Sequence, residues 1–142
     1  MTATAGVDPA IGDLFGAYLQ NSPFAAKCGL ELALMEPDLA EVELPYDESN
    51  TTYADIVHGG AITTLVDVAA VAAAWSGAEP VKGSRGATVA LSVQYLAAGK
   101  AERLRGRARV TRRGSSVCFC SVEVLGEDDN LVATGLVTYK IS

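Results

Sequence analysis

Ile11, Leu14, Phe15, Tyr18 and Leu19 recur at steps of three and four, which predicts a helix over 10–20 that Ser22-Pro23 ends. The period then shortens. Residues 28–35 and 39–44 read as two strands around the turn signal Glu36-Pro37-Asp38, so a hairpin is expected there. Residues 45–57 are polar and irregular. After them comes His58-Gly59-Gly60, and then a stretch to Ser76 in which Asp67 is the one charged residue. Its length and its wealth of alanine predict a helix that closes near Gly77. Residues 78–86 read as a loop. Beyond it, 87–97, 101–111, 115–125 and 131–141 show partial alternation and are separated by the turn signals at 98–100, 113–114 and 127–130. Three close connections predict a meander of four strands, each paired with the next.

The predicted order is therefore helix, two strands, one apolar helix, four strands. One sheet covers only one side of an apolar helix. Ala69, Ala70, Ala72, Ala73 and Ala74 form a smooth surface on which the helix of a second copy could pack, so a homodimer is expected; the alternative is that the N-terminal helix covers that surface.

Composition narrows the function classes. Hydrophobic residues make up 49% of the 142 residues, enough for a folded domain with a core. Asp67 interrupts the best candidate membrane span, and the N-terminus lacks a basic start followed by an apolar core, so we expect a cytoplasmic protein with no membrane partner. The net charge of −6 argues against nucleic acid as a partner. Six arginines crowd into positions 103–113. Arg103, Arg105, Arg107 and Arg109 alternate, as on one face of a strand, and read as a solvated sheet face or subunit contact; Arg112 and Arg113, next to a turn, are better candidates for gripping an anion. Cys28, Cys118 and Cys120 lack metal-ligand spacing and the chain has one histidine, so neither a metal nor another cofactor is expected.

The candidate chemistry lies in the apolar helix. Its start carries free backbone N–H groups and the positive end of the helix dipole, and glycine lets a ligand carbonyl approach them, so the Gly59 amide is a candidate oxyanion donor. Asp67 is eight residues further on, about 12 Å along the axis. One helix cannot bring both groups to one carbonyl, so if both act on the same bond they come from different subunits. A carbonyl polarised in this way and attacked with help from a carboxylate describes acyl hydrolysis, with Asp67 as general base or as nucleophile. The competing reading makes Asp67 a satisfied buried carboxylate that fixes helix packing.

His58-Gly59-Gly60, Thr64-Leu65-Val66-Asp67 and the small apolar residues after them resemble the hotdog-fold acyl-CoA thioesterases of the phenylacetate-pathway type. Arg113-Gly114-Ser115, Val122-Glu123-Val124 and Leu131-Val132-Ala133-Thr134-Gly135 resemble the same family's closing strands, and the likeness spans about 22–141. The resemblance implies an α+β hotdog: a curved antiparallel sheet of about six strands wrapped around one long central helix. The chain would be a single domain over 1–142, with an N-terminal helical segment (1–21) and a hotdog core (22–142). Gly59 would supply its N–H to the thioester carbonyl, His58 would shape the turn, and Asp67 of the partner subunit would be the catalytic carboxylate. Thr88 stands where the family often has a hydroxyl that positions water. Gly60, Arg112, Arg113, Gly114 and Ser115 would bind substrate, the last four near the phosphates of coenzyme A. The family often has an asparagine six residues before the histidine and a glycine three residues after that. Here those positions are Thr52 and Asp55, and Asn50 is the nearest asparagine that could serve. The expected partners are an acyl-CoA substrate and further copies of the chain, a dimer at least and a dimer of dimers by family habit. The altered loop leaves a second reading, a hotdog module that binds acyl-CoA without turning it over.

Overall fold

The computed structural model describes residues 3–79 and 84–142. Two short helices open the chain. Asp8 caps α1 (Pro9–Asn21) by accepting the Ala10 amide at 2.8 Å, and Pro9 stands at the first helical position, where no N–H is needed. Ser22-Pro23 does end α1, but it also begins α2 (Pro23–Cys28), which Gly29 closes at φ 74°. The strand expected from Cys28 therefore starts only at Glu31. Within α1, Ile11, Phe15 and Leu19 face the core.

The remaining elements are β1 (Ala3–Thr4), β2 (Glu31–Glu36), β3 (Leu39–Leu44), β4 (Thr51–Tyr53), β5 (Ile56–Val57), α3 (Gly59–Ser76), β6 (Gly86–Tyr95), β7 (Leu104–Arg113), β8 (Val117–Leu125) and β9 (Leu131–Ile141). The main sheet has the order β1-β2-β3-β7-β8-β9-β6; β1 pairs parallel to β2, and the six longer strands pair antiparallel. With α3 laid across its inner face, this is the expected α+β hotdog arrangement.

The meander is correct only in part. β7, β8 and β9 pair in succession, but β6 crosses to the far side of the sheet and pairs with β9, from Gly86–Ile141 to Tyr95–Ala133. The reason lies in the connection after β6. It is not a hairpin turn, because its backbone hydrogen bonds go elsewhere: Gly99 O accepts from Val57 N at 2.9 Å, and Ala101 N donates to Asp55 O at 2.9 Å. The small β4–β5 hairpin holds this crossover.

The alanine surface also needs correction. Ala69, Ala70, Ala72, Ala73 and Ala74 are each 0% exposed within the single chain, because α3 lies directly on its own sheet. Small inward residues on the strands let it approach. A Cβ on Gly135 of β9 would fall 2.5 Å from Val66 Cγ1, and one on Gly106 of β7 would fall 3.0 Å from Leu65 Cγ. α3 has the length and hydropathy of a membrane span, yet 56% of it is buried inside the fold, which makes it the core helix. The part left half-covered is a stripe that carries Thr63, Thr64, Asp67, Val71 and Trp75. α1 packs near its C-terminal half, so the N-terminal helix does cover part of α3.

On the outer face, the alternating arginines form a charge ladder with β3 and its neighbours. Arg103 pairs with Glu43 and Glu31, Arg107 with Glu41, and Arg105 with Asp129 at 2.9 Å. These are solvated ion pairs that contribute little each.

Candidate active site

His58 organises the start of α3. Its Nδ1 accepts the Gly60 amide at 2.8 Å, and its carbonyl accepts the amides of Ala61 and Ile62 at 2.9 and 3.1 Å. A helix start leaves four N–H groups without partners in the helix. Of these, the His58 N–H goes to the Asn50 carbonyl, the Gly60 N–H to His58 Nδ1 and the Ala61 N–H to the His58 carbonyl, while the Gly59 N–H has no acceptor among the described residues. The role of the second glycine follows from the same geometry. A Cβ on Gly60 would lie 2.9 Å from His58 Nδ1, so a side chain there would push the capping ring away. Gly59 is different: its Cβ would meet Tyr95 at 3.5 Å, an ordinary contact. The fold of the single chain therefore does not demand glycine at 59.

Tyr95 at the end of β6 had no signal in the sequence beyond being an aromatic residue at a strand end. Its hydroxyl donates to Gly59 O at 3.0 Å and shares a short hydrogen bond with the Thr63 hydroxyl. It braces the glycine turn from outside. Asn50 braces it from behind: its carbonyl accepts the His58 amide at 2.7 Å, while its side-chain amide donates to Cys28 O at 3.2 Å.

Asp67 sits two turns along α3, half-buried on the open stripe. Thr88 donates its hydroxyl to Asp67 Oδ1 at 2.6 Å. A bulge between Thr88 and Ala90 shifts the register of β6, so that Thr88 meets Asp67 while Tyr95 still meets the helix start. Thr88 thus holds one carboxylate oxygen and leaves the other for chemistry. Beside Asp67 lies a cavity of about 390 Å³ between α1, α3 and β6, with Phe15 and Tyr18 in its wall.

The β7–β8 turn is at the other end of α3. Arg113 donates to the Ala74 carbonyl at 2.9 Å and to Asp38 Oδ1 at 2.7 and 3.0 Å, and a further N–H points to Cys118 Sγ at 3.3 Å. It caps the helix C-terminus and has little left for a phosphate. Gly114 closes the turn by donating to Val117 O at 2.8 Å, while Arg112 and Ser115 are exposed. Two clusters are therefore brought together in one chain, His58-Gly59-Gly60 with Tyr95 and Asp67 with Thr88. The turn at 112–115 joins neither.

The cysteines are not poised for attack. Burial raises the thiols of Cys28 and Cys118 and pushes Cys120 up to about 11, where a thiolate is scarce at neutral pH.

Comparison with known proteins agrees with this geometry. The family model described as the thioesterase superfamily matches residues 54–133, more than half of the chain. The chain is 27% identical over 155 aligned residues to a protein of Escherichia coli (strain K12) named medium/long-chain acyl-CoA thioesterase YigI, with 99% of each covered. Among solved structures, a thioesterase family protein from Silicibacter pomeroyi superposes with a TM-score of 0.83 at 24% identity, covering 92% of this chain and 97% of its own. A hypothetical thioesterase from Streptococcus pneumoniae, crystallised with coenzyme A, gives 0.70 at 24% identity, with 80% and 85% covered. With that family model matched over residues 54–133, the chain belongs to the thioesterase superfamily.

Proposed function

We propose that two copies of this chain form an acyl-CoA thioesterase, with each active site made from the Gly59 amide of one protomer and Asp67 of the partner subunit. The observation that carries this reading is the pairing of one unspent helix-start N–H with one braced, half-buried carboxylate, about 12 Å apart on the same helix and so too far apart to meet in one chain. The name of the Escherichia coli relative supports the acyl-CoA class. The dimer is supported by β6. It is ten residues long, it lies at the end of the sheet order, and its outer edge has no partner among the described residues. A long bare edge invites a further strand, and a second copy pairing there would continue the sheet.

In this reading the thioester oxygen lies about 3 Å from the Gly59 N–H, where the amide and the helix dipole stabilise the charge that develops on it. Asp67 of the partner subunit takes a proton from water as the water oxygen attacks the carbonyl carbon; alternatively it attacks that carbon itself, and the mixed anhydride left after the thiolate departs is then hydrolysed by water, which restores the carboxylate. The C–S bond breaks, coenzyme A leaves as its thiolate and is protonated, and the acid is released. In the same reading Arg112 and Ser115, exposed on the β7–β8 turn, meet the phosphate end of the substrate, while Arg113 holds that turn in position.

Asp67→Asn keeps the shape and the Thr88 contact but removes the base. Its rate on a panel of acyl-CoA thioesters should fall by about 10²–10⁴-fold. An unchanged rate would remove Asp67 from the mechanism.

A further inference from the structure

The cavity beside Asp67 has a fixed far end. Trp75 and Tyr139 close it, and the Trp75 Nε1–H donates to the Tyr139 hydroxyl at 3.0 Å. Tyr139 is 5% exposed and is wedged beneath Gly86, where a Cβ would fall 1.9 Å from the hydroxyl. Tyr139 has no room to swing aside, and the hydrogen bond ties the half-buried Trp75 to it, so the pair forms a braced end wall. The side walls include Ile11 and Phe15 of α1 and Val71 of α3, all apolar. Among the described residues Asp67 is the one charged group in the lining, and it is an acidic side chain. Such a hollow rejects the phosphates of coenzyme A and accepts a hydrocarbon. A second hollow on the other side of Asp67, about 230 Å³, carries the hydroxyls of Thr63 and Thr64 and is a poorer fit for an alkyl chain.

The length of the cavity sets a limit. Trp75 lies eight residues beyond Asp67 on α3, about 12 Å along the axis. An extended alkyl chain advances about 1.3 Å per carbon. We infer that Trp75 and Tyr139 are a chain-length ruler, stopping a saturated acyl chain at about eight to ten carbons as it lies along α3 beneath α1. The inference rests on the thioesterase reading and adds to it the substrate class and the residues that set it.

The test is kcat/KM for straight-chain acyl-CoA thioesters from four to sixteen carbons (~C4–C16), measured on the parent chain, Val71→Phe and Trp75→Ala. Burying each added methylene should raise the parental value about fourfold until the chain meets the end wall, and the rise should then stop. Val71→Phe fills the middle of the hollow, so its break should come about two to four carbons earlier. Trp75→Ala opens the end, so its break should come later. Should Trp75→Ala fail to fold, by circular dichroism, Val71→Phe decides alone. A parental profile still rising past about fourteen carbons overturns the ruler. So does the same break in every folded variant; either result leaves the thioesterase reading intact. A parent that hydrolyses no acyl-CoA overturns both.

Discussion

His58 and Gly59 divide the work at the start of α3. The histidine accepts the Gly60 and Ala61 amides, Asn50 accepts that of His58, and the Gly59 amide stays bare among the described residues. This division can be tested by deleting a single N–H. Proline is accepted at the first helical position and has no N–H, and His58 already sits at φ −61°, ψ 134°, a conformation suited to a residue before proline. Gly59→Pro should therefore fold with a melting temperature within a few degrees of the parent, while its acyl-CoA hydrolysis falls by about 10²–10³-fold. Gly59→Ala keeps the amide, and its Cβ would meet Tyr95 at 3.5 Å, so its loss should be much smaller. Equal losses in the two variants would mean that space at residue 59 matters and its amide does not.

At the scale of elements, the decisive fact is how closely α3 lies on its sheet. Gly135 sits under Val66, and a Cβ at 135 would fall 2.5 Å from Val66 Cγ1. Val66 is 0% exposed, so it has nowhere to retreat. Gly135→Ala should cost about 1–3 kcal/mol by overpacking. Val66→Ala alone should also destabilise, through the void it leaves. Together the two should cost less than their sum by about 1 kcal/mol or more, because the new methyl occupies space that the valine gave up. Urea unfolding of the four proteins measures this; strict additivity would mean that the helix and sheet are not in tight register at this point. The same closeness explains why the alanines of α3 face inward. They serve this contact within one chain, so they are no longer an argument for a second helix.

For the whole molecule, the claim is that the reacting groups meet between subunits. In the proposed dimer, Gly59→Pro and Asp67→Asn should each disable every site of their own homodimer. In a mixed dimer, one site inherits both defects and the other is intact. Refolding equal amounts of the two inactive proteins together should restore about one quarter of the parental activity, since half of the randomly paired dimers are mixed and each holds one intact site of two. No recovery, with mixed dimers demonstrated by mass, would place both groups within one chain.

Spacing and period along the chain were enough to locate the helix 59–76, its glycine start, the carboxylate two turns on and most of the strands, because these depend on residues near one another in sequence. The same spacing separates Gly59 from Asp67 whatever the rest of the chain does. Thr88 was placed by resemblance, and the bulge that turns it toward Asp67 was not legible, since a register shift is set by the partner strand β9. The position of β6 was misread for a similar reason: the crossover at 96–103 is held by hydrogen bonds to residues 55 and 57, more than forty positions away. Arg113 has the look of an anion-binding residue in the sequence, and only the packed structure shows it spent on Asp38 and the end of α3. Local order follows from local chemistry; which donors and acceptors remain free is decided by contacts between distant parts of the chain.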